Sequence, residues 1–201
     1  HAGSSVAALA VWIGVAGLIV FLGLHSLRIV FPGLRERIIA RFGEGPFKGL
    51  YSLVALVGFG LIIWGFGLAL AESAVVYVPA FGLRHVTEAL MLPALVLAVA
   101  SALPHGYIRR FVLHPLLTGT IIWAAAHLLV NGETASVVLF GAFLVWAVVD
   151  LVAAARRSRP PASAPKPSVA YDVAAVLAGA VLYAALVWRV HEWAFGVSPL
   201  A

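Results

Sequence analysis

Six apolar blocks, each close to the ~20 residues needed to cross a ~30 Å hydrocarbon core, constrain this chain more than any other feature. They lie at about 5–30, 49–71, 83–101, 114–131, 134–154 and 171–191. None shows strand-like alternation, so a transmembrane β-barrel is excluded. Apolar residues make up 63% of the 201 positions and charged residues only 10%. A water-soluble core of that size cannot hide so much apolar surface, whereas lipid solvates it directly. The expected fold class is all-α: a polytopic integral membrane bundle of about six transmembrane helices. The partner that composition demands is the lipid bilayer.

Charge sets the expected topology. Eleven of the 13 Lys and Arg flank the odd-numbered loops: Arg28, Arg35, Arg37, Arg41 and Lys48; Arg109 and Arg110; Arg156, Arg157, Arg159 and Lys166. Only Arg84 and Arg189 lie at the opposite ends. The positive-inside rule makes the odd loops cytoplasmic and both termini periplasmic, as in a bacterial inner membrane. The basic balance therefore reports topology. No basic arm with interleaved aromatics is present, so nucleic acid is not an expected partner. Without cysteine, disulfides, iron–sulfur clusters and covalent CxxCH haem attachment are excluded. The chain begins at His1, as expected of a processed chain. Its first block is too long and glycine-rich for a simple signal peptide and is expected to remain as a helix.

The expected organisation is a five-helix membrane domain (1–155), a basic proline-rich cytoplasmic linker (156–170) and a sixth helix with its tail (171–201). The first loop, FPGLRERIIARFGEGPFKG, is either a short amphipathic helix lying on the interface or a solvated basic loop. Only Gly132 and Glu133 separate the fourth and fifth blocks, which implies a tight turn. Pro93 falls inside the third block and is expected to kink it unless packing re-satisfies the freed carbonyl. Glu88 can pair with Arg84 or His85, and Asp150 with the basic end of its own helix.

Ionisable side chains are expensive in hydrocarbon and mark functional interiors. His25, His85, His114, His127 and His191 lie in or at the ends of blocks. Neutral imidazole hydrogen-bonds between helices, and it also serves as an axial ligand of haem iron. His25 shares a helical face with Gly14, whose missing side chain admits either a flat macrocycle or another helix. His127 shares a face with Thr120, Trp123 and Asn131, a polar and aromatic stripe expected to point inward. These residues are the candidate cofactor site. His85 and His191, near block ends, are read as structural, and His114-Pro115 as a helix start. No zinc, phosphate-loop or nucleophile-elbow motif is present.

The stretches HSLRIVFPGLRERIIARFGEGPFKGLYSLVALVGF (25–59), LRHVTEALMLPALVL (83–97) and HPLLTGTIIWAAAHLLVNGETASVVLFGAFLVWAVVD (114–150) closely resemble bacterial NnrU proteins. The likeness covers most of residues 6–156 and is weakest over the sixth block. NnrU proteins are related to 15-cis-ζ-carotene isomerase, a membrane haem b enzyme with two histidine ligands. The resemblance implies non-covalent haem b held by His25 and His127; His85 and His114 are the alternates that depth suggests. Thr120 and Asn131 would be supporting residues. It also implies a denitrification setting, with nitric oxide or a polyene as candidate ligand and a membrane redox partner. The isomerase carries a cysteine three residues before its second histidine, implicated in ligand switching; Ala124 stands there. Redox or nitrogen-oxide support is therefore the first expectation and isomerisation the second.

Depth raises a further question. His25 lies near the cytoplasmic end of its block and His127 nearer the outer end, a mismatch on the order of 10–20 Å at ~1.5 Å per residue. By depth alone His25 matches His114, and His85 matches His127, so a second haem or a different ligand pair stays open. HPLLTG also resembles part of the membrane methyltransferases related to isoprenylcysteine methyltransferase. Leu113 replaces the arginine of their RHP pattern, and no acidic pair follows, so this reading ranks lower. A cofactor-free assembly subunit is the remaining alternative, and it would be colourless.

The charge asymmetry makes a direct prediction. Because the chain lacks cysteine, Lys166→Cys is a unique thiol. A membrane-impermeant maleimide should leave it unlabelled on intact cells and label it after permeabilisation. Labelling from outside would invert the topology.

Overall fold

The computed structural model describes residues 2–157 and 163–201; Arg159 and Pro160-Pro161 of the linker lie outside the described residues. The fold is all-α. Its helices are α1 (Ala2–Val30), α2 (Leu34–Phe42), α3 (Glu44–Leu70), α4 (Leu83–Ala102), α5 (Tyr107–Phe111), α6 (Pro115–Val130), α7 (Thr134–Arg157), α8 (Val169–Ala185) and α9 (His191–Phe195). One π-helical turn, Leu186–Val190, joins α8 to α9 without a break. Among the described residues five helical stretches are long and apolar enough to cross a membrane: 5–30, α1's apolar part, then α3, α4, α7 and the run 169–195. The fourth apolar block forms α6, which has 16 residues. At ~1.5 Å per residue it measures about 24 Å, short of the ~30 Å core. Pro115 starts it and Asn131, in an extended conformation, ends it.

The chain divides into two compact units, residues 1–77 with 132–142 and residues 78–131 with 143–201. In the first unit α1 lies along α3, and α2 rests against both. The contact is built from missing side chains. A Cβ on Gly17 would meet the Ile62 amide nitrogen at 2.6 Å, and one on Gly65 would collide with the Gly14 backbone. Ala10, Gly14, Gly17 and Phe21 recur at helical spacing along α1; Gly58, Ile62, Gly65 and Ala69 do so on α3. Small residues let two backbones approach, and dispersion between them replaces the hydrophobic effect that lipid does not supply. Outward faces are correspondingly apolar, with Trp12 and Ile19 each 68% exposed.

The first loop is a helix, α2, as its amphipathic reading anticipated. Gly33 (φ 81°) and Gly43 (φ 92°) flank it, a backbone conformation that disfavours residues with a Cβ. Arg35 lies over the Phe47 ring at 5.6 Å. Beyond α3 the chain runs extended, and its amides are satisfied locally. Val76 donates to the Gly132 carbonyl at 2.7 Å and Thr134 to the Ala74 carbonyl at 2.8 Å. The Ser73 hydroxyl accepts the Ala135 amide at 2.8 Å.

In the second unit α4 packs against α6 and α8. Gly119 brings α6 onto the Ala94 carbonyl, and Gly179 brings α8 onto Val96. Helix α4 continues through Pro93. Asp172 of α8 caps α5, accepting the amides of Tyr107 and Ile108 at 2.8 and 2.9 Å. The Ser168 amide donates to the His105 carbonyl at 3.1 Å. These bonds fasten the last helix to the second unit, although a proline-rich linker precedes it.

The glycine contact is testable. Gly65→Leu should destabilise the protein by about 1–3 kcal/mol through overpacking, read as a lower melting temperature in detergent. Gly60→Leu should be silent, because a Cβ there meets nothing within 4 Å.

Candidate cofactor site

His25 belongs to the first unit. Its Nδ1 lies 2.6 Å from the Phe21 carbonyl one turn earlier. The Phe21 ring is 4.4 Å from the imidazole, and the Tyr51 ring of α3 meets it edge-on at 5.6 Å. Gly14, on the same face, is filled by a helix: its Cβ would meet the Phe66 ring at 2.7 Å. Of the two occupants the sequence allowed there, α3 is the one present.

His127 belongs to the second unit and repeats this local geometry. Its Nδ1 lies 2.8 Å from the Trp123 carbonyl. A neutral imidazole donating from Nδ1 carries its lone pair on Nε2, the nitrogen then suited to a metal. The Trp123 ring is 5.2 Å from the imidazole and meets Phe143 edge-on at 5.4 Å. Asn131 donates to the His127 main-chain carbonyl at 2.7 Å, capping α6. Thr120 donates to the Leu116 carbonyl at 2.8 Å. Trp123, through its carbonyl, therefore orients the ring. Ala124 is fully buried. The Thr87 hydroxyl of α4 donates to the Ala126 carbonyl at 2.8 Å, in a buried bond beside His127.

The alternates divide. The side chain of His85 is 73% exposed and faces Glu88 at 3.6 Å. Glu88 also lies 3.7 Å from Arg84, so both anticipated pairings occur. Asp150 lies 3.9 Å from Arg157 of its own helix. His114 occupies the N-cap position before Pro115, and its carbonyl accepts the Thr118 hydroxyl at 3.0 Å. The residue that sequence reasoning set aside is His191. Its ring centre is 6.4 Å from that of His127, with the planes 20° apart. The signal was present: both residues fall at the ends of their blocks away from the basic loops.

Among the described residues no group of three or more His, Cys, Asp or Glu could hold a bare metal ion. Haem iron asks less of a protein, since the porphyrin fills four positions and imidazole the axial ones. Histidines with fixed Nδ1 bonds and aromatic neighbours fit that demand. A family model described as NnrU protein matches residues 14–199. The chain belongs to the NnrU family. The match runs through the sixth span and His191, beyond the 6–156 stretch where the resemblance is strongest. No curated protein matches the chain, and no solved structure does.

The buried Thr87 bond is a specific target. Thr87→Val should cost roughly 0.5–1.5 kcal/mol by removing the buried hydrogen bond from α4 to the Ala126 carbonyl. The detergent melting temperature reads the loss.

Proposed function

We propose that this NnrU-family protein is a membrane haem b protein that supports redox or nitrogen-oxide metabolism. The observation that carries the reading is the repeated histidine geometry: His25 and His127 each turn Nδ1 onto the carbonyl four residues earlier. That bond fixes the ring, raises its basicity and leaves Nε2 as the ligating atom. His127 and His25 are the ligands that family resemblance implies. Within its own unit each histidine has apolar ring neighbours, Phe21 and Tyr51 for His25 and Trp123 for His127, which suit the face of a porphyrin. Bound there, the haem would supply one-electron chemistry or, with one axial position vacated, a binding place for nitric oxide. A bacterial inner-membrane location and periplasmic termini belong to the same reading, and follow from the charge distribution.

The isomerase reading ranks second. The position that holds a cysteine in that enzyme is Ala124, buried and without a thiol. A polyene would then need a ligand-release step of another kind.

Protein expressed with ample haem should purify coloured, with a Soret band and sharpened α and β bands on reduction. Acidic acetone should extract the pigment, since there is no cysteine to hold it covalently. Colourless protein would overturn the haem reading and leave the assembly subunit. Conversion of 15-cis-ζ-carotene by reduced protein would put isomerisation first.

A further inference from the structure

We propose that His127 and His191 are the two axial ligands of one haem iron, a pairing made wholly within the second unit. The proposal rests on the haem reading above and replaces His25 as the second ligand. Three independent features of the chain converge on it.

The first is separation. A ligating nitrogen about 2.0–2.1 Å from a metal puts each imidazole centre roughly 3.2 Å from it. Two rings on opposite sides of one iron then have centres a little over 6 Å apart. The His127 and His191 centres are 6.4 Å apart and their planes differ by 20°. That centre-to-centre spacing matches the one two imidazoles on a shared metal would have.

The second is tautomer. His191 Nδ1 lies 2.7 Å from the Val197 carbonyl, as His127 Nδ1 lies 2.8 Å from the Trp123 carbonyl. The two bonds arise differently. His127 uses its own helix, whereas His191 uses a carbonyl brought back by the turn at Gly196, whose φ is 73°. Two unrelated backbone arrangements leave the same nitrogen, Nε2, as the lone-pair donor.

The third is the π turn. Residues 186–190 insert one wide turn immediately before His191. Such bulges are rare and are frequently found at functional sites. One extra residue rotates all that follows by about 100°, so the turn decides which face of the sixth span carries His191. Each histidine also has an aromatic neighbour that suits a macrocycle: Trp123, 5.2 Å from His127, and Phe195, 5.0 Å from His191.

The test uses the full-length protein in detergent, loaded with haemin. Wild type and His25→Ala should both give six-coordinate, low-spin ferric spectra. His191→Ala should retain haem but turn high-spin, with a blue-shifted Soret band. His191→Gly with added imidazole should recover the low-spin form, which separates a ligand from a residue needed only for folding. If His25→Ala turns high-spin while His191→Ala stays low-spin, this pairing is overturned and the haem reading survives with His25. If His191→Gly loses haem and imidazole does not restore the low-spin spectrum, the pairing is also overturned. Wild type that binds no haemin overturns both readings.

Discussion

Hydrocarbon offers no partner to a peptide N–H or C=O, and the rest of the structure follows from that. Helices satisfy the requirement within themselves, so the apolar blocks become helices whatever their detailed sequence. The informative places are where helices stop. There the chain supplies substitutes: the Gly132 carbonyl for the amides of Val76 and Tyr77, Ser73 for Ala135, and Asp172 for Tyr107 and Ile108. Polar side chains in this protein are spent chiefly on its own backbone. Ser26, Thr118 and Thr120 each bond the carbonyl one turn back.

The histidines obey the same economy, and that gives them chemical meaning. An imidazole has two nitrogens, and the backbone claims only one. When Nδ1 answers a carbonyl, Nε2 is committed to being the acceptor or ligand. His25, His127 and His191 all meet this condition. His85 does not: it faces a carboxylate in an exposed position. The distinction is one of hydrogen-bond geometry, and it separates candidate ligands from a histidine that faces a carboxylate.

Packing follows from the second property of lipid, that it attracts apolar side chains as well as protein does. Helices then gain by approaching closely, and the small residues of α1 and α3 permit it. Gly14 shows the consequence. Its open face could have accepted a macrocycle, but the Phe66 ring fills it. Around His127 and His191 the walls are aromatic rings at 5.0–5.4 Å, a spacing set by side chains and not by backbone contact.

Much of this was legible in the sequence, because it depends on composition and short-range periodicity. The apolar blocks, the amphipathic α2, the start of α6 at Pro115, and the pairings of Glu88 and Asp150 all follow from residues within a few positions of one another. The family too was legible, from long ordered motifs. The short span of α6 was less so, since its end depends on Asn131 leaving helical geometry. The ring neighbour of His127 was legible only as a shared position at the block ends, which the sequence reading set aside. The two residues are 64 positions apart, and a single π turn sets which way His191 faces. The sequence by itself determined that this is a helical membrane protein with histidines where lipid makes them costly. The tertiary structure decided which histidines meet, because helix rotation and a one-residue bulge leave no mark in hydropathy.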